Sequence, residues 1–317
     1  MLRVRTVRYL DEFAGAPGDP DNYAHTVGSL WESGESKPGW CFLLEDGGEQ
    51  LGRIGFRVAP TTSDSRWLGS LPPEELFAFG LHLPWEGDYL GTGRRLLSES
   101  VSVIVREVPD MLEVRINNEV HPHALARCRL METCGLGLFQ EKQGFSWVDD
   151  ASPIKVGGRL QFRSIEDVGK DSYRSVMEPC GEGTLDRNDR YYWEGCGPHA
   201  WAEQMTAYLV EEDARMWLVA HRAGSAVGYV AVASDDDWGS TIVHIGVIPE
   251  QRGNGYVHDL IAAGTAAAQK AGIQMMLSDV DVLNQPMLNA VRLAGHRDDH
   301  RPWHVWVYRA DTNQIAE

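Results

Sequence analysis

Positive charge is what this sequence has least of. Its 317 residues carry 29 lysines and arginines against 46 aspartates and glutamates, a formal net charge of −17. Neutralising phosphates takes Lys and Arg, so the balance argues against DNA, RNA and anionic membrane surfaces as main partners. It suits a cationic substrate such as an amine. Long apolar runs are missing too, since no stretch approaches the ~18 residues of a membrane span. The N-terminus, MLRVRTVRYLDEF, alternates like a strand and lacks the apolar core of a signal peptide. Cysteine is scarce and odd in number: Cys41, Cys128, Cys134, Cys180 and Cys196 contain no CxxC pair. A zinc ribbon and a redox dithiol are thereby excluded, and free thiols in a cytoplasmic setting are expected. His121 and His123 precede Cys128 and Cys134 without a second closely spaced ligand pair, so no metal is expected. No Gly-Lys-Ser/Thr occurs, which excludes a Walker A loop.

What is present is internal repetition. Leu2 to Val7 is echoed by Leu160 to Ile165, each an alternating strand running into an acidic, helix-starting stretch. A hairpin follows in each half: Trp40–Leu44, Gly47-Gly48 and Leu51–Val58, then Met216–His221, Ala223-Gly224 and Val227–Val232. Next come the strands Leu76–Leu83 and Thr241–Ile248, each leading through a proline (Pro84, Pro249) into a glycine-containing turn and a helix. Each half ends on a strand, a helix and an aromatic strand: Phe145–Val148 in one, Trp303–Tyr308 in the other. This order predicts an α/β chain with mixed sheets. Asp149–Pro153 is the natural link, giving domains at 1–150 and 151–317.

The most informative segment runs from Thr241 to Val257 and contains Pro249-Glu250-Gln251-Arg252-Gly253-Asn254-Gly255. A strand ends, a turn without bulky side chains follows, and a helix begins near Tyr256. Unpaired N–H groups at such a helix start, with the positive end of its dipole, make a pocket for phosphate oxygens. Arg252 adds charge at the rim. A Rossmann fingerprint needs a third glycine where His258 stands. A pyrophosphate site for coenzyme A is the remaining reading.

V-x-P-E-x-R-G-x-G after a strand resembles the acyl-CoA site of the GNAT acyltransferase superfamily. Arg252 and Gly255 match that family's Gln/Arg-x-x-Gly-x-Gly/Ala motif, while Val257 stands where Gly or Ala is expected. Asn284 to Gly295, with its leading Asn and closing Leu-x-Gly, is similar to the family's next helix, and the resemblance extends over 158–310. It implies two tandem GNAT-like domains packed together, the second binding acyl-CoA through Ile245, Val247, Arg252, Gly253, Asn254, Gly255, Tyr256, Val257 and Asn284. The first half resembles the same fold in worn form. Gly91 and Gly93 are kept, but Asp88 takes the Arg/Gln position and repels a pyrophosphate, which implies a structural or substrate-shaping domain. The tandem layout is similar to mycothiol synthase and to the N-acyltransferases of glycopeptide-antibiotic amino sugars.

The implied activity is acyl transfer from the CoA thioester to a primary amine of a small molecule, such as an amino sugar. His244, on the strand feeding the turn, is the candidate base, with a hydrogen-bonded sheet histidine as its structural alternative. Backbone N–H groups around Val247 are candidates for the oxyanion. Many family members place a tyrosine acid where this chain has Val291. The aromatic run Tyr191–Trp201 offers an acceptor surface, with Glu194 pairing an ammonium and His199 as a second base. Two other readings stand beside this one. One is a tandem-fold transferase using aminoacyl-tRNA, which the net charge disfavours. The other is an acyl-CoA-binding module without activity, suggested by Val257 and Val291.

Overall fold

A computed structural model describes residues 2–14, 23–58, 75–107, 111–117, 123–207, 209, 211–235, 239–299 and 302–309. The chain divides into two compact units, and the division is not the expected cut at 150/151. Unit 1 comprises Met1–Gln140 and Trp303–Glu317, and unit 2 comprises Glu141–Pro302. The physical reason is an exchange of terminal strands between the two repeats.

Unit 1 begins with β1 (Leu2–Thr6), α1 (Leu10–Ala14), α2 (Tyr23–Glu32) and the hairpin of β2 (Cys41–Asp46) and β3 (Glu49–Val58). Gly47 and Gly48 have φ of 59° and 93°, the left-handed pair that a two-residue hairpin turn needs. Then come β4 (Glu75–His82), α3 (Tyr89–Ile104), β5 (Met111–Asn117), α4 (Ala124–Thr133) and the start of β6 (Gly137–Val148). The strand order is β1-β2-β3-β4-β5, and beyond β5 lies not β6 but the last strand of the chain, β13 (Trp303–Arg309). It pairs antiparallel with β5 from Trp303↔Asn117 to Arg309↔Met111. Trp306 is thereby buried in a core with Phe42, Leu44, Phe56, Leu96 and Leu130.

Unit 2 receives the other half of the exchange. Its elements are β7 (Gln161–Ser164), α5 (Ile165–Val168), α6 (Lys170–Met177), α7 (Arg187–Cys196), α8 (Pro198–Ala207), β8 (Trp217–Arg222) and β9 (Ser225–Asp235). They are followed by β10 (Gly239–Val247), α9 (Tyr256–Lys270), β11 (Met275–Asp281), α10 (Gln285–Leu293) and the short β12 (Arg297–Asp298). The order is β7-β8-β9-β10-β11-β6. β6 pairs antiparallel with β11 from Val148↔Met275 to Lys142↔Asp281. Phe145 and Trp147 of β6 are buried in this unit's core, beside Ile261 and Met276 respectively. An alternating aromatic strand has the same pattern on either sheet, so the swap is invisible to periodicity.

The strand pairing within each unit is mixed, since β4 runs parallel to β5 and β10 parallel to β11 among antiparallel neighbours. The second pair matters for the site. β10 and β11 are joined only at Ser240↔Met276 and Thr241↔Leu277, and beyond these positions they part.

Candidate active site

Where β10 and β11 part, a cleft of about 320 Å³ opens, lined from both strands and from α7. A second cavity of about 470 Å³ adjoins it around the glycine turn. Thr184, Ile245, Asn284 and Met287 line both, so the two are compartments of one site.

The glycine turn is built as the sequence suggests. Gly253 and Gly255 have φ of 78° and 71°, and Gly255 leads directly into α9 with no side chain capping the helix. A Cβ at Gly253 would meet nothing within 4 Å. The uncapped N–H groups thus face an open space, the arrangement that accepts phosphate oxygens. Ile245, Val247, Arg252, Gly253, Gly255, Tyr256, Val257 and Asn284 all line this second cavity. Asn254 does not, because its side-chain amide turns back to the carbonyls of Gln251 and Arg252. Asn284 also caps α10, accepting from the Met287 N–H at 3.3 Å.

Arg252 has a duty the sequence did not disclose. Its guanidinium donates to the carbonyls of Val247 (3.1 Å), Cys180 (2.9 Å) and Gly183 (3.4 Å), tying the 180–183 segment to the end of β10. Cys180 lines the same cavity, and burial pushes its thiol up to about 12, partly offset by Arg252, so it serves as a wall.

The backbone of β10 sends two of its amides towards the gap. The Ile248 N–H donates to Val227 of β9, and successive residues of a strand point their amides to opposite sides. The N–H groups of Val247 and Ile245 therefore point away from β9, towards the gap left by β11. The Val247 carbonyl confirms the direction, since Arg252 takes it from that side.

His244 reaches the first cavity because β10 carries a bulge. The register with β9 shifts between Ile242 and His244. The extra residue places Ile242 and Ile245 on one face, packed with Leu260 and Ile261 of α9. His244 is turned to the other face, against Trp201 at 5.3 Å between ring centroids and Tyr229 at 5.8 Å. Its Nε2 lies 3.0 Å from Oδ1 of Asp189, and its Nδ1 is hydrogen-bonded to the Tyr229 hydroxyl. Burial alone would lower the His244 pKa, but the Asp189 charge and hydrogen bond, with Asp186, hold it above the usual histidine value. Burial works against the Asp189 carboxylate too, yet His244 and Lys142 hold it below the ordinary range. Tyr229 is driven well upward by burial and keeps its proton, so it donates to neutral His244.

Asp189 is positioned by α7. Asp186 caps that helix through the N–H groups of Asn188 and Asp189, and Arg187 is held by the buried Asp281 at the end of β11 (Nε to Oδ2, 3.0 Å). Lys142 of β6 completes the wall, paired with Asp279 at 2.7 Å. Burial opposes its charge, but Asp279, Asp186 and Asp189 keep its pKa above the ordinary lysine range.

Glu194 and His199, the other catalytic candidates, lie outside both cavities. Glu194 is five residues after Asp189, about 140° around the helix, and is exposed. His199 is exposed and pairs with Glu178 at 2.7 Å. The aromatic run between them is largely wall and core: Trp193 donates to the Glu178 carbonyl, and Trp201 is fully buried beside Tyr173 and Trp217. Asp189, Tyr229, Lys142 and Asp279 were missed, because nothing in a sequence joins positions 55 residues apart such as Asp189 and His244. His121 lies outside the described residues, and among those described no cluster of three potential metal ligands occurs. All five cysteines are free thiols, and no described helix is long and apolar enough to cross a membrane.

These features can be set beside known proteins. The model of the acetyltransferase (GNAT) family matches residues 184–295, most of unit 2. No curated protein matches the chain by sequence. A GCN5-related N-acetyltransferase from Sphaerobacter thermophilus superposes with a TM-score of 0.62 at 17% identity, over 99% of this chain and 98% of that one. A tandem GNAT protein from the clavulanic acid biosynthesis pathway gives 0.54 at 15%, over 99% and 100%. A GCN5-related glucosamine N-acetyltransferase region within a fungal multidomain β-N-acetylglucosaminidase gives 0.59 at 13%, over 97% of this chain and 38% of that one. These likenesses carry the fold, which the chain shares with solved GNAT proteins over nearly its whole length, and within it residues 184–295 match the model of the acetyltransferase (GNAT) family.

Proposed function

We propose that unit 2 transfers an acyl group from coenzyme A to a primary amine of a small molecule. The observation that carries this reading is the junction of the two cavities. An uncapped glycine turn suited to a pyrophosphate opens beside a cleft holding a histidine–carboxylate pair. The acceptor nitrogen gives a proton to the Asp189–His244 pair, which titrates as a unit. The freed lone pair attacks the thioester carbonyl, and the oxyanion takes the N–H groups of Ile245 and Val247. The C–S bond then breaks, the nitrogen, cationic since its attack, releases its second proton to solvent, and the CoA thiolate takes one up. Val291 lines the cleft and donates nothing, but a thiol of pKa about 8.5 leaves without a dedicated acid more readily than an alcohol does.

Carboxylates dominate the acceptor side, with Asp186, Asp189 and Asp279 against Lys142, so a cation is the favoured acceptor. An amino sugar fits that charge, and the glucosamine N-acetyltransferase region among the structural neighbours supports the same class. Unit 1 is proposed to be structural. The test is release of free thiol from acyl-CoAs of graded chain length in the presence of a panel of primary amines. Turnover with an amine supports the reading. CoA binding without thiol release from any amine refutes it in favour of an inactive acyl-CoA-binding module.

A further inference from the structure

Placed between a carboxylate and a tyrosine, His244 would ordinarily be taken as the group that meets the substrate, with Asp189 behind it. The geometry is the reverse. Both ring nitrogens are engaged, Nδ1 by the Tyr229 hydroxyl and Nε2 by Asp189 Oδ1 at 3.0 Å. The ring lies parallel to Tyr229 (interplanar angle 5°) and edge-on to Trp201 (68°), both fully buried side chains. It can neither swing towards the cleft nor offer a nitrogen without breaking a bond. Both residues line the cleft, but only Asp189 keeps an atom there, Oδ2, with no hydrogen-bond partner among the described residues. Its side chain is also the more exposed of the two, 21% against 12%. Lys142, the cation nearest in the wall, is paired with Asp279 at 2.7 Å and not with that oxygen.

We propose that Asp189 Oδ2 is the group that receives the acceptor's ammonium, and that His244 is a positioning residue that does not touch the acceptor. The proposal rests on the N-acyltransferase reading above and fixes the order of contact within it. The imidazole N–H holds Oδ1, which sets the carboxylate plane and leaves Oδ2 directed to the cleft. Tyr229 holds the ring from behind. A cationic amine is thereby selected by one oriented carboxylate oxygen, and the relation of aspartate to histidine is inverted from that of a serine-hydrolase triad.

The test uses the full chain, an acyl-CoA and two primary amines of similar size, one an ammonium at neutral pH and one weakly basic and uncharged there. Asp189→Asn is expected to lose about 10- to 100-fold in kcat/KM for the charged amine, mainly through KM, the value of one hydrogen-bonded charge contact. For the uncharged amine the loss is expected to be several-fold smaller. His244→Gln can still place an amide N–H against Asp189 Oδ1, and is expected to keep its KM for the charged amine within about tenfold of the parent, at most about 1.4 kcal/mol, while kcat falls with the loss of the imidazole from the pair. A His244→Gln variant whose KM for the charged amine rises as far as that of Asp189→Asn overturns the proposal. So does an Asp189→Asn loss that is equal for both amines. Retained CoA affinity shows that each variant is folded around the site, and Asp189→Ser replaces any asparagine variant that fails this check. If the parent protein releases no thiol with any amine, the acyltransferase reading falls and this proposal with it. If the parent turns over, the variants judge the proposal alone.

Discussion

Replacing Arg252 by lysine separates two roles that its sequence motif confounds. A residue beside a phosphate-binding turn is naturally taken as a positive charge for the pyrophosphate, and lysine preserves that charge. In the structure, however, the guanidinium spans three carbonyls, with bonds of 2.9 and 3.1 Å and a longer one of 3.4 Å. A lysine ammonium on a flexible stem cannot span all three at once. Arg252 is exposed, so the carbonyls it releases are partly rehydrated, and each of the two shorter bonds is assigned about 1 kcal/mol. With one bond kept or none, the loss is about 1–2 kcal/mol. If that loss falls on the placement of the 180–183 segment, CoA binds about 5- to 30-fold more weakly. Isothermal titration with CoA, alongside thermal melting, reads the affinity and the stability separately. Arg252→Glu is expected to be weaker still, since it adds a carboxylate beside the pyrophosphate. The clamp is refuted if Arg252→Lys binds CoA as tightly as the parent and melts at the same temperature while Arg252→Ala binds weakly. Charge alone would then account for Arg252.

Three further outcomes are expected. Asp88→Ala removes the N-cap of α3, whose carboxylate accepts from the Gly91 N–H at 3.0 Å. Denaturant melts should show a loss of about 0.5–2 kcal/mol with CoA affinity unchanged, and weakened CoA binding would refute a purely structural role for unit 1. Gly228→Ala places a Cβ 2.2 Å from the Gly246 carbonyl oxygen and 3.0 Å from the Val247 Cα, so β9 and β10 must separate beside the amides proposed to hold the oxyanion. A cost of about 1–3 kcal/mol and loss of turnover follow, and an unchanged melt with full thiol release would show that the strands yield freely. Burial lowers the His296 pKa to about 4, from an ordinary 6.5. Below 6.5 the unfolded chain takes up a proton that the folded one refuses, so stability falls as the pH drops from there towards 4, by about 3 kcal/mol in all. His296→Gln, which can still bond the Thr265 hydroxyl, should flatten that part of the stability profile. A profile of unchanged slope would assign the acid sensitivity elsewhere.

The glycine turn and the two hairpins were legible in the sequence because their determinants are local. Positive φ at Gly47, Gly48, Gly224, Gly253 and Gly255 is a property of each residue and its neighbours. The repeat was legible for the same reason, since each half rewrites the same local pattern. The strand exchange was not, because β6 and β13 present equivalent aromatic alternation and only tertiary pairing decides where each goes. The acceptor side failed in a third way. The run from Tyr191 to Trp201 is conspicuous in composition, yet a helix shows each face to a different environment. Asp189, plain in the sequence, falls on the face that meets His244, while Glu194 falls on the other. His244 could be picked out by its strand, but the bulge that aims it is not encoded by any glycine or proline at Val243. It follows from the need to keep both Ile242 and Ile245 against α9.

The two glycine turns are filled differently. In unit 2 the helix after the turn has no side-chain cap, and a Cβ at Gly253 or Gly255 would have no contact closer than 3.7 Å. The glycines there clear room for something that the chain does not itself supply. In unit 1 a Cβ at Gly91 would lie 2.3 Å from Asp88 Oδ2. The glycine is kept for the opposite purpose, to admit the chain's own carboxylate to the helix start. An anion site closed by an internal anion satisfies the same N–H groups and the same dipole without a ligand. Further along the same unit, Trp85, just after the proline, stacks on His123 at the start of α4 (centroids 6.0 Å, 17°), and the Arg127 guanidinium lies over the Trp85 ring at 4.5 Å from its centroid. The corresponding positions in unit 2 are Glu250 and Asn284, and there Asn284 lines open space in both cavities. Asp88, at the position of Arg252, therefore closes from within the helix start that the glycine turn of unit 2 leaves open.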